Sequence, residues 1–113
     1  MSSMYSMNVT IKDYKLENEK AIIKRLKYSW GYDVYTWNDP PYMNLTGTDT
    51  LSAKTEAEFA REVAEAAWDE NGGYCSVEVI ATYLEELPYE MYEFGANEYK
   101  EWLIKSGARD VNA

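Results

Sequence analysis

From Met7 to Tyr14 apolar and polar residues alternate, with Val9 and Ile11 on one side and Thr10 and Lys12 on the other. That is the period-two signature of a strand with one wet face. The period then changes. Across 17–30, Ile22, Ile23, Leu26 and Trp30 recur at steps of three and four, while Lys20, Lys24 and Lys27 share another side, which predicts an amphipathic helix. Its early Glu17 and Glu19 and late bases suit the helix dipole, and Gly31 stands where a C-terminal cap would. Asp33–Trp37, β-branched and aromatic, reads as a short strand. At 38–52 the pattern breaks. Asn38-Asp39-Pro40-Pro41 cannot continue a helix and bars a central strand, and Gly47 with its Thr/Asp neighbours reads as a turn. This predicts a surface loop with at most a brief strand at Tyr42–Leu45.

The strongest helix signal follows. Thr55-Glu56-Ala57-Glu58 is a capping box, with Phe59, Ala60, Val63, Ala66 and Ala67 as the apolar stripe and Asn71-Gly72-Gly73 as the stop. Tyr74–Leu84 alternates again, with Cys75, Val77, Val79, Ala81 and Tyr83 on one face. Pro88 precedes YEMYEF, residues 89–94, which fits either a further strand or the start of a helix with proline at its first position. A last helix is expected over Asn97–Lys105, with Tyr99, Trp102 and Leu103 inward and Gly107 as its stop.

These elements predict an α+β fold, a small and mostly antiparallel sheet with two or three helices packed on one face. At 113 residues the chain is of single-domain size. The expected organisation is a loosely held stretch over 1–6, one domain over 7–107 and a tail over 108–113.

Composition narrows the chemistry. The absence of histidine removes Ser-His-Asp, Cys-His and His-based acid–base catalysis. With one cysteine, Cys75, there is no zinc site of the usual kind and no intramolecular disulfide, which fits a cytosolic setting. Cys75 itself falls on a strand face as a small hydrophobe. No phosphate-binding or dinucleotide fingerprint occurs. Among loop acids, Asp33, Asp39 and Asp49 are the nearest to a metal set, and solvated loop carboxylates account for them more simply. No cofactor is expected, and no enzymatic activity. The start, MSSMYSMN, lacks the charged and apolar regions of a secretory signal, and no apolar run approaches the roughly 20 residues of a membrane span.

Charge then points to a partner. The net charge is −9, and it is unevenly placed. Residues 1–30 are net basic through Lys12, Lys15, Lys20, Lys24, Arg25 and Lys27, whereas 55–93 hold many carboxylates against the single base Arg61. An acidic chain repels nucleic acid and anionic membranes and attracts basic proteins. Glu58, Glu62, Glu65 and Asp69 follow one another at helical spacing opposite the apolar stripe. At about 1.5 Å rise per residue they form a line roughly 16 Å long. A second patch, Glu85, Glu86, Tyr89, Glu90, Tyr92 and Glu93, mixes carboxylates with tyrosine. The chain has eleven tyrosines and four tryptophans, side chains that anchor interfaces.

These residues are the expected partner-binding set. DNA carries one charge per roughly 1.7 Å of axis, and ordered carboxylates can present a comparable field. Small size, acidity and missing catalytic residues resemble in kind the anti-CRISPR and antirestriction proteins of phages and plasmids, and the immunity proteins of nuclease toxins. The expectation is an inhibitor in the cytoplasm of a bacterial host. It would bind a basic protein or nucleoprotein complex rather than nucleic acid or membrane. The alternative is a structural or adaptor subunit that assembles through its aromatic surface, as a homodimer for example.

Overall fold

The computed structural model describes residues 3–51, 54–85 and 89–106. In chain order it contains β1 (Ser3–Lys12), a 3-10 turn (Leu16–Asn18), α1 (Glu19–Lys27), β2 (Asp33–Asn38), β3 (Pro41–Leu51), α2 (Glu56–Asn71), β4 (Ser76–Tyr83), β5 (Tyr89–Phe94) and α3 (Ala96–Lys105). The strands form one antiparallel sheet in the order β2-β3-β1-β4-β5. This is the predicted α+β class. The first four strands and two helices have the split β-α-β connectivity of ferredoxin-like sheets, with β5 and α3 added beyond β4.

One face of the sheet makes the core. Met7, Val9 and Ile11 of β1, Met43 and Leu45 of β3, and Val77, Val79 and Ala81 of β4 are buried there beneath Ile22 and Leu26 of α1 and Phe59, Ala60, Val63, Ala64, Ala67 and Trp68 of α2. The alternation in β1 and β4 predicted these faces. In α2 the buried stripe takes in Ala64, with Ala66 only half-buried. α2 begins at the predicted capping box, with the Glu58 backbone N–H donating to Thr55 Oγ1 at 3.1 Å and the Thr55 N–H donating to Glu58 Oε1 at 3.0 Å. It ends at Gly72, whose φ of 68° is the left-handed conformation glycine tolerates. α3 packs through rings, with Tyr99 and Trp102 against Trp68 at 5.4 and 5.6 Å and Phe94 of β5 against the same indole at 6.2 Å.

The structure corrects three expectations. The predicted loop at 38–52 is a hairpin, β2 to β3, and β3 is an eleven-residue strand paired on both sides. Pro41 is tolerated because it is the strand's first residue, beside the turn. Gly47 is not in a turn but inside β3, opposite Met7. A Cβ there would lie 1.9 Å from the carbonyl oxygen of Gly31, and Trp30 donates its indole N–H to the Gly47 carbonyl at 3.0 Å. The α1–β2 connection thus crosses directly over β3, and only glycine leaves room. Gly31 does not cap α1, which ends at Lys27 with Tyr28 as a right-handed cap.

One boundary also differs, and one alternative is decided. β1 begins at Ser3 and pairs with β3 and β4, so residues 3–6 lie within the sheet. The segment 89–94, left open between strand and helix, is the edge strand β5. Gly107 and the expected tail at 108–113 lie outside the described residues.

Candidate functional site

The helices leave one sheet face open. Its centre is polar: Asn44 donates from Nδ2 to Asn8 Oδ1 at 2.7 Å and to Thr10 Oγ1 at 3.2 Å. Its margins are apolar, with Tyr35 and Trp37 exposed on β2 and Tyr89 and Met91 exposed on β5. Residues opposite each other in a ladder share a face. The register therefore sets Tyr89, Met91 and Glu93 on this open side, with Thr82, Ile80 and Glu78. It sets Glu90, Tyr92 and Phe94 on the helix side, with Ala81, Val79 and Val77. The second predicted patch is thereby split across the sheet. Glu86 lies outside the described residues.

The predicted α2 line is largely occupied by the protein's own groups. Glu58 is committed to the capping box, and the bonds from Thr55 hold its carboxyl below the usual carboxylate range. Glu62 Oε1 receives Lys54 Nζ at 2.7 Å. Asp69 and Glu70 both receive Arg25 Nη1, at 3.2 and 2.8 Å, and they push the guanidinium pKa up. Glu65 has no cation partner among the described residues. Exposed pairs of this kind contribute little stability. They do cancel much of the field the line would present, because α1 sets its basic side against the end of α2.

A different cluster forms where β1, β4, β5 and the start of α2 meet. Tyr5 and Tyr83 are cross-strand neighbours with ring centroids 5.3 Å apart. The Tyr5 hydroxyl donates to Glu56 Oε1 at 2.7 Å, and the Tyr83 hydroxyl donates to Glu85 Oε2 at 2.6 Å. The bond to Glu56, with burial second, raises the Tyr5 pKa to about 12. Burial, then Glu56 and Glu90, raises that of Tyr92 as well. No lysine or arginine bonds Glu56, Glu85 or Glu90 among the described residues. The corner is thus a set of phenol rings backed by carboxylates. Rings attract cations through their faces, and carboxylates accept charge-assisted bonds from lysine or arginine.

Of the predicted residues, Glu85, Glu90 and Tyr92 fall in this corner. Tyr5, Tyr83 and Glu56 lie outside the predicted set. The period-two pattern does extend back from Val9 through Met7 to Tyr5, and that was the available signal for Tyr5. Glu56 carries no such mark, since only the packing of α2 over the sheet brings it to Tyr5.

Beside the helices lies a cleft of about 660 Å³ between α1, α2 and the end of β3, reached by Trp102 of α3. Asp33, Asp39 and Asp49 are strung along the β2–β3 hairpin. The eight positions from Pro41 to Asp49 alone span roughly 26 Å of strand, so these acids do not converge. Cys75 is fully buried, with its thiol raised to about 12 by burial and then by Asp13. No helix among the described residues is long and apolar enough to cross a membrane.

Fold and surface together define a small α+β domain with an acidic, tyrosine-lined corner. The chain matches no protein-family model, and neither the curated proteins nor the solved structures give a match.

Proposed function

We propose that this protein is a small acidic inhibitor that binds a basic, nucleic-acid-handling protein or nucleoprotein complex in the bacterial cytoplasm, in the manner of anti-CRISPR or antirestriction proteins. The observation that carries the reading is the corner of Tyr5, Tyr83 and Tyr92 with Glu56, Glu85 and Glu90. Glu56 and Glu85 accept phenol hydroxyls, strand register sets Glu90 on the same face as Tyr92, and none of the three bonds a cation among the described residues. A lysine or arginine that ordinarily grips phosphate meets acceptors and ring faces there without either side reorganising. The paired acids of α2 make a continuous decoy along that helix the weaker part of the idea, so the contact is assigned to the corner.

The test is capture of basic nucleoproteins from a bacterial lysate by the wild-type protein and by Glu85→Lys/Glu90→Lys. The expected result is a captured complex that the double variant loses. It should also dissociate as salt rises from about 0.05 to about 0.5 M, where screening shortens the range of the field several-fold. Capture unchanged by the charge reversal would reject the assignment.

The exposed Tyr35, Trp37, Tyr89 and Met91 on the open face favour a second reading, an adaptor subunit or homodimer assembled through that face. Such an interface would persist at high salt and would be lost on Trp37→Ser or Tyr89→Ser.

A further inference from the structure

We infer that the cleft between α1 and α2 seats a basic, amphipathic segment of the partner protein; this rests on the reading above and specifies what that partner must carry. The cleft has the volume of a binding pocket, about 660 Å³. Its floor is apolar, built from Leu51 of β3, Phe59, Val63 and Ala66 of α2, and Trp102 of α3. Tyr28, 94% exposed, stands at the mouth.

The rim decides the sign of the occupant. Four carboxylates, Asp49, Glu62, Glu65 and Asp69, face two cations, Arg25 and Lys54. Both cations are engaged, Lys54 with Glu62 and Arg25 with Asp69 and Glu70. Among the described residues Glu65 bonds no cation, and Asp49 accepts only the N–H of its neighbour Thr50, at 2.7 Å. An anionic ligand would therefore meet no unpaired cation among the described residues of the rim, and a neutral one would leave Glu65 half-buried without a cation. A segment with apolar side chains for the floor and lysine or arginine heads for Glu65 and Asp49 satisfies both. The long stems of those side chains can lie along Trp102 and Tyr28 while the heads stay wet.

The probes are two synthetic peptides of equal length with leucine at helical spacing, one with lysine and the other with glutamate at the remaining positions. Binding is followed by titration calorimetry and by the tryptophan fluorescence of Trp30 and Trp102. The wild-type protein should bind the lysine peptide saturably and the glutamate peptide not at all. Ala66→Trp fills the cleft and keeps every charge, and Glu65→Lys reverses the rim without touching the floor. Each should weaken the lysine peptide at least tenfold. Either variant suffices if the other fails to fold.

Absence of saturable binding by the wild type overturns the inference. So does wild-type affinity in both variants, since the peptide is then held elsewhere on the acidic surface. Glu85→Lys/Glu90→Lys leaves the cleft intact, so its effect on lysate capture judges the corner separately.

Discussion

The side-chain oxygen of Asn71, at the end of α2, accepts a hydrogen bond from the backbone N–H of Lys15 at 2.8 Å, across 56 positions of chain. Its Nδ2 donates to the carbonyls of Gly73 and Tyr74, both at 3.1 Å, and its own carbonyl accepts Asn18 Nδ2 at 2.8 Å. Asn71 is 1% exposed and is the buried polar residue of the described core. It joins two connections that have no ladder of their own: the one between β1 and α1 and the one between α2 and β4.

Removal of this amide should be costly, because the groups it satisfies are left without partners. Asn71→Ala is expected to destabilise the domain by about 2–3 kcal/mol, a fall in Tm on the order of 10 °C or more for this size. Urea and thermal unfolding would check it, and a change within about 0.5 kcal/mol, typical of a plain surface substitution, would contradict it.

Gly47 and Gly31 touch each other, yet they should respond oppositely to alanine. At Gly47 the new carbon meets the Gly31 carbonyl at 1.9 Å, whereas at Gly31 nothing lies within 4 Å. Gly47→Ala must displace backbone and should cost on the order of 2 kcal/mol or more, the scale of an overpacked core. Gly31→Ala should stay within about 0.5 kcal/mol of the wild type. Equal stability of the two variants in denaturant melts would rule out the crossing over β3.

The capping box gives an acid-side prediction. The folded Glu58 carboxyl is held below its ordinary value by Thr55. A depressed carboxylate contributes stability above its unfolded pKa, about 4.3, and that contribution disappears as pH falls through the folded value. Glu58→Gln should therefore be less stable than the wild type near neutrality and converge with it as pH falls through the folded value. Thr55→Ala should cost about 0.5–2 kcal/mol, as N-cap losses do. Melts of the three proteins against pH decide this, and a gap between the wild type and Glu58→Gln that persists in acid would refute it, whereas the Thr55→Ala gap should retain the part due to the bond from the Glu58 N–H.

On the alkaline side the sign reverses. The Tyr5 pKa is raised from 10.0 to about 12 by its bond to Glu56 and by burial. The folded state favours the protonated phenol, so this stability is complete below pH 10 and is lost as pH climbs towards 12. Burial also raises Tyr14 and Tyr32, so the wild type should weaken through the same range. Tyr5→Phe should remove one late step from the ultraviolet phenolate titration and flatten part of the alkaline decline. A titration in which Tyr5→Phe loses a step near 10 would place Tyr5 in solvent.

The candidate site was only half legible in sequence. Glu85, Glu90 and Tyr92 announced themselves by interleaved acid and ring. Their division between faces of the sheet followed from β5 being a strand in a fixed register, which YEMYEF left open. The α2 line of Glu58, Glu62, Glu65 and Asp69 was placed on one side by helical spacing alone. What that spacing could not contain was the approach of Arg25 from α1 and the reach of Lys54, both of which depend on where separate elements settle.

The sequence by itself determined α2 and the inner faces of β1 and β4. Their information is local: a capping box, a left-handed glycine and an apolar period that survives in any context with one wet side. Tertiary structure alone decided β3. Its residues, PYMNLTGTDTL, have the glycine, proline and threonine–aspartate content of a loop. They become a central strand because β1 and β2 supply hydrogen bonds along both edges, and because Gly47 lets the chain after α1 cross above. The acidic corner belongs to the same category, since Tyr5, Glu56, Tyr83 and Glu90 meet only when the β1–β4–β5 pairing and the seat of α2 are both in place.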